Sequence, residues 1–195
     1  MGKFKFVETG VPGVVVVEPT VFGDDRGYFM ETYHKEEFAA AGIAGEFVQD
    51  NQSSSRKGVL RGLHFQKENT QGKLVRVIKG RVFDAAVDLR PKSPAFGRWT
   101  GVELSDENRR QMYVPQGFAH GFLVLSDMAE FTYKCTDVYA PQHEGGIRWD
   151  DADIGIDWPV LDVPYVMSAK DEALPVMRGQ DFAFFERWGN GQGAG

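Results

Sequence analysis

The chain has 195 residues, which suits one domain with a full core, and its 42% hydrophobic content rules against wholesale disorder. A formal charge of −6 disfavours general affinity for nucleic acid, although a locally basic pocket for a phosphorylated small molecule is compatible with an acidic protein. The single Cys135 excludes an intrachain disulfide and fits a reducing compartment.

The opening MGKFKFVETG lacks the apolar core of a signal peptide, and Phe6 stands where a myristoylation signal needs Ser or Thr. No apolar run approaches membrane-spanning length; VVVV at Val14 to Val17 is only a strand's worth. A soluble, cytoplasmic protein is expected, so the sequon at Asn51 carries no meaning. Short β-type runs then recur between turn signals: Val14–Glu18, Tyr28–Tyr33, Phe47–Ser54, Val59–Phe65, Lys73–Lys79 and Arg81–Leu89. Trp99–Leu104, Gln111–Val114, Ala119–Leu125 and Glu130–Thr136 follow. With 23 Gly, 9 Pro and 15 Phe, this rhythm predicts an all-β antiparallel sandwich or barrel. The clearest helix signal is HKEEFAAAG, His34 to Gly42, closed by its glycine. Late in the chain, SAKDEALPVM places Asp171 three residues after Ser168, the spacing of a helix-capping pair. With no internal repeat or linker, residues 1–188 read as a single domain and GNGQGAG, 189–195, as a flexible tail.

Alternation says which side chains share a face. In EFTYKCT, Phe131, Tyr133 and Cys135 oppose Glu130, Thr132, Lys134 and Thr136, so Tyr133 should point inward. RVFDAAVDL has Phe83, Ala85, Val87 and Leu89 as its apolar set, and His120 shares a face with Phe122 and Val124. VLRGLHFQ sends Leu60, Gly62, His64 and Gln66 one way and Arg61, Leu63 and Phe65 the other. Two histidines and a tyrosine thereby converge on one interior, while Arg61 faces away. Either a bulge at Gly62 brings Arg61 round, or it serves a neighbouring surface such as a second subunit's site.

Several motifs are missing. There is no G-x-G-x-x-G after a strand, no P-loop and no zinc-type cysteine spacing. The metal-binding jelly rolls of the cupin type pair an H-x-H with a later P-x-G-x-x-H. Only the second piece is present, as PQGFAH from Pro115 to His120, which points to a binding pocket without a metal. The acidic WDDAD at Trp149 to Asp153 reads as an exposed loop, and His34 and His143 as surface residues.

Taken in order, FGDDRGYFMETY, FVQDNQSSS, VLRGLHFQ, QGKLVRVIKGRVFDAAVDLR, PQGFAHGF, YKCTDVYAP and SAKD resemble the dTDP-4-dehydrorhamnose 3,5-epimerases, which are cupin-like jelly rolls. The resemblance runs from about Val14 to Asp171. It implies inversion at C3 and C5 of a dTDP-linked 4-keto-6-deoxyhexose, with no cofactor, in deoxysugar biosynthesis leading to L-rhamnose, by a homodimer. Both carbons flank the C4 ketone, so each C–H can be removed to give an enolate. The site needs a base, a cation or donor for the oxyanion and an acid on the opposite face.

The resemblance assigns His64 as the base, Asp171 as its orienting partner, Tyr133 as the far-face acid and Lys73 as the enolate's cation. From the residues alone, Asp171 is as well explained by capping with Ser168, and serving both roles with the same oxygens looks difficult. For the nucleotide sugar the resemblance points to Arg26, Glu31, Gln49, Asp50, Asn51, Arg61, Lys73, His120, Glu144 and Lys170, with Tyr139 stacking on the thymine. Three rivals stand beside this reading: a one-centre 3-epimerase or a ketoisomerase on the same scaffold, a metal-dependent cupin oxygenase or isomerase, and a sugar-nucleotide binding module without chemistry.

Overall fold

Alternating apolar and polar side chains fold here into two stacked antiparallel sheets, described for residues 2–188 in a computed structural model. The tail expected at 189–195 lies outside the described residues. In chain order the strands are β1 (Phe4–Glu8), β2 (Val15–Pro19), β3 (Val21–Asp24), β4 (Gly27–Met30), β5 (Gln49–Arg56), β6 (Leu60–Gln66) and β7 (Lys73–Lys79). They continue as β8 (Arg81–Asp88), β9 (Trp99–Ser105), β10 (Gln111–Val114), β11 (Phe118–Val124), β12 (Met128–Cys135) and β13 (Glu144–Gly146). A short helix, α1 (Lys35–Ala40), falls between β4 and β5, and a second, α2 (Ala169–Glu172), follows β13. One sheet runs β1-β2-β10-β7-β12-β5 and the other β13-β6-β11-β8-β9, while β3 and β4 form a separate hairpin. Neighbours distant in sequence pair antiparallel, the jelly-roll arrangement that the strand rhythm predicts.

The core between the sheets takes Val75 and Val77 of β7, Met112 of β10 and Phe131 of β12 from one side. From the other come Val82 and Ala86 of β8, Leu104 of β9, and Phe122 and Val124 of β11. The apolar set of RVFDAAVDL is a correction. Ala85, Val87 and Leu89 face away from this core, into a second apolar layer with Ile147, Trp158, Phe182 and Phe185. The C-terminal third thus covers the outer face of the second sheet, burying β11 on both sides. Alternation identifies two faces but not which is covered by the partner sheet. A third cluster packs Phe38 of α1 against Phe4, Val17 and Tyr113 on the outside of the first sheet.

Three strands are additions to the expected set: β1, β3 and β13. WDDAD is not an exposed loop throughout. Asp151 is buried and accepts from the backbone N–H groups of Asp153, Ile154 and Met177, so it organises the C-terminal cover. Among the described residues no helix is long and apolar enough to cross a membrane.

Candidate active site

Between the sheets lies a cavity of about 500 Å³ whose walls include His64, Lys73, His120, Tyr133 and Asp171. Arg61, Tyr139, Glu144 and Lys170 also line it. His64 and His120 come from adjacent strands of the second sheet, where they are direct cross-strand partners. Lys73 and Tyr133 belong to the first sheet, on adjacent β7 and β12. The imidazoles and the phenol therefore enter one cavity from opposite walls.

Arg61 reaches this cavity because the pairing of β6 with β11 slips. His120 pairs with His64 but Phe122 pairs with Arg61, so two residues on β11 span three on β6. Gly62 sits at the slip with φ of +118°, and a Cβ there would lie 2.6 Å from the Gly121 Cα. Only glycine fits this approach of two backbones. The bulge resolves the conflict over Arg61 in favour of a shared cavity. Its guanidinium donates to Ser55 Oγ from Nε (3.2 Å) and Nη2 (3.0 Å), which fixes its plane at the rim.

Asp171 does both things that appeared difficult together. Its Oδ1 lies 2.5 Å from His64 Nε2, while Oδ2 accepts from Ser168 Oγ at 2.9 Å. Ser168 Oγ in turn accepts from the Asp171 backbone N–H, capping α2. The two carboxylate oxygens divide the work, and the cap fixes the carboxylate that holds the imidazole. Burial pushes the Asp171 carboxyl up, but His64 and Ser168 outweigh it and leave it below the ordinary carboxylate range. With Nε2 occupied, Nδ1 is the nitrogen of His64 left for the cavity.

Burial lowers the pKa of the Lys73 ammonium, opposed mainly by the charges of Cys135 and Asp84. Lys73 is half-buried at the start of β7 and lines the cavity. Burial also raises the Tyr133 phenol, helped by Cys135, so it holds its proton firmly. Desolvation lifts the Cys135 thiol to about 11.

At the mouth, Tyr139 Oη donates to Glu144 Oε2 at 2.8 Å, and Lys170 Nζ reaches the same oxygen at 2.5 Å. Burial works against ionisation of Glu144, but Lys170, Tyr139 and His64 more than offset it and depress its pKa. The phenol of Tyr139 and the ammonium of Lys170 are both raised, chiefly through their bonds to Glu144.

The remaining expected residues stand elsewhere. Alternation along β5 turns Gln49 and Asn51 inward but behind the cavity wall, where Gln49 Nε2 donates to Asn51 Oδ1 and Gln49 Oε1 accepts from the Tyr139 backbone N–H. Asp50 faces out and pairs with Lys134 at 3.0 Å, so it does not line the cavity of its own chain. Arg26, on the turn of the β3–β4 hairpin, pairs with Asp24 and is remote from it as well. Glu31, just after β4, pairs with Lys3 at 2.8 Å.

One buried group escaped sequence reading. Asp84, wholly buried on β8, lies 2.9 Å from His120 Nε2. Its position with Val82 and Ala86, a charge on the face turned to the facing sheet, was the available signal. Among the described residues no three His, Cys, Asp or Glu side chains gather as a metal cage.

The family model described as dTDP-4-dehydrorhamnose 3,5-epimerase matches residues 8–179. A protein of that name from Methanothermobacter thermautotrophicus is 56% identical over 179 residues, covering 91% of this chain and 97% of its own. The crystal structure of dTDP-6-deoxy-D-glucose-3,5-epimerase from Legionella pneumophila, in complex with dTDP-4-keto-L-rhamnose, superposes with a TM-score of 0.90 at 48% identity, covering 93% of this chain and 96% of that one. A 3'-monoepimerase from Streptomyces bikiniensis, in complex with dTDP-quinovose, gives a TM-score of 0.81 at 33% identity, covering 92% and 88%. A match over most of the length, at more than half identity, is decisive: the chain belongs to the dTDP-4-dehydrorhamnose 3,5-epimerase family.

Proposed function

We propose that this protein converts dTDP-4-dehydro-6-deoxy-D-glucose to dTDP-4-dehydro-L-rhamnose without a cofactor, by inverting C3 and C5 through enolates. The observation that carries the reading is the His64–Asp171 pair on one wall of a cavity with Tyr133 on the other. His64 Nδ1 takes the proton from the carbon beside the ketone. The C–H electron pair becomes the C=C bond, and the carbonyl π pair moves to O4. Lys73 faces that oxygen as a cation, and Tyr133 returns a proton to the opposite face of the carbon. Asp171 keeps the imidazole in one tautomer and stabilises the imidazolium that forms. Arg61 and Lys170 at the rim suit the diphosphate, and the exposed ring of Tyr139 suits stacking on the base.

The protein acts as a cytoplasmic homodimer in this reading. The β3–β4 hairpin carries Arg26 away from its own cavity and exposes Phe22, Tyr28 and Phe29. A lone two-stranded hairpin with bare aromatics calls for a covering surface, and a second copy supplies one. Arg26 and Glu31 would then serve the partner's cavity.

Turnover in deuterated water, followed by NMR, tests the chemistry. Deuterium at both C3 and C5 is expected, and none at either position would sink the reading. Label at C3 alone would favour the one-centre reaction, which the likeness to the 3'-monoepimerase keeps as the second reading.

A further inference from the structure

We propose that Asp84 is a positioning residue: it holds His120 as a cation whose Nδ1–H, beside Lys73, donates to the substrate's C4 oxygen as negative charge develops there. This rests on the epimerase reading and reassigns His120 from the nucleotide to the sugar.

The argument starts from burial. Asp84 has no exposure to solvent, its Oδ1 meets only His120 Nε2, and its Oδ2 has no hydrogen-bond partner among the described residues. A carboxylate left half-satisfied in an apolar layer is costly, and an apolar or amide side chain would pack there more cheaply. What an amide cannot supply is the negative charge. Burial lifts the carboxyl above its ordinary value, opposed by its hydrogen-bonded neighbour His120 and by Lys73. The other titratable groups facing this end are His64 on β6 and Glu144 on β13.

Position then decides which substrate atom is served. His120 is itself buried, whereas Arg61, Tyr139 and Lys170 lie at the exposed side of the same cavity. The nucleotide enters from the open side, so the sugar reaches the His120 end. His120 is the direct cross-strand neighbour of His64, and such side chains start only about 5 Å apart. With a C–H at C3 or C5 against His64, the ketone oxygen is one carbon away and falls to the neighbouring imidazole. Since Nε2 is committed to Asp84, Nδ1 is what faces it. In the step itself His64 takes the proton, the electron pair passes to O4, and His120 and Lys73 keep their protons throughout.

The test uses full-length protein with nitrogen-15 histidine, the His120 signals being assigned by their loss in His120→Asn. At about pH 8 wild-type His120 is expected to carry protons on both ring nitrogens, and Asp84→Asn to reduce this to one. A singly protonated His120 in the wild type overturns the proposal, and that spectrum decides even if Asp84→Asn fails to fold. In kinetics, Asp84→Asn should lower kcat and deuterium wash-in about 100-fold with KM changed less than about threefold. A kcat within about twofold of wild type overturns it equally. If wild type exchanges neither C3 nor C5, the epimerase reading fails instead, while the spectrum still reports on Asp84 and His120.

Discussion

His64 and Asp171 lie 107 residues apart in sequence, yet the cavity depends on a 2.5 Å contact between them. SAKD showed the cap by its spacing, but only the fold could show that the second oxygen of Asp171 remains for an imidazole. Asp171→Asn keeps a similar shape yet loses the anionic acceptor, so the imidazole is free to present the wrong tautomer. A drop in kcat on the order of 10³–10⁴ is expected in steady-state assays, with binding of dTDP little changed. The same residue sets an acid limit. Its folded pKa is depressed, so its contribution to stability is present above the unfolded value of about 3.9 and is lost as pH falls through the folded one. Denaturant titrations of wild type and Asp171→Asn should therefore converge below about pH 4. His64→Ala should abolish solvent exchange at C3 and C5. Tyr133→Phe should slow net inversion but leave exchange measurable, because removal and return on one face still operate. Full-rate epimerisation by Tyr133→Phe would remove the phenol from the mechanism.

At the scale of single elements, most strands could be read because their apolar residues alternate, and β7 and β10 match their expected bounds. β13 could not be, since its two glycines carry no pattern; each is glycine because a Cβ would strike Phe65 or Leu174. Alternation also failed where it was applied most strictly, at Arg61. The cause is a backbone contact between Gly62 and Gly121, which no pattern of side-chain types reports. Gly62→Ala should consequently cost at least ~2 kcal/mol, from the positive φ and the 2.6 Å clash together. A thermal midpoint lowered by roughly 4 °C or more is the expected reading. Any variant that still folds should bind dTDP poorly, because Arg61 loses its direction. Unchanged stability would mean that the two backbones can part.

For the whole molecule, the jelly roll places the proposed acid and base by placing their sheets: His64, Lys73 and Tyr133 inherit their walls from facing strands, and Asp171 comes from α2. The resemblance carried this arrangement more surely than periodicity did, because periodicity cannot say which face of β8 meets the opposite sheet. Nor can it say which copy of the chain Arg26 serves. Mixing Arg26→Ala with His64→Ala subunits tests that point. If Arg26 completes the partner's cavity, mixed dimers regain one intact site and about a quarter of wild-type activity across a random equimolar population. If it serves its own, or the protein sediments as a monomer, the mixture stays inactive and the shared site is excluded.

The polypeptide after β13 does more than roof the outer sheet. Val166 bridges to Val59 beside β6, and a few residues later the same segment delivers Asp171 to His64. A chain emerging from synthesis therefore owns its imidazole long before it owns the carboxylate that aims it. Proteolytic nicking between Gly146 and Ser168 would leave the sheets' own ladders untouched and yet free the carboxylate from the imidazole, which on the proposed roles would disarm the proton transfer.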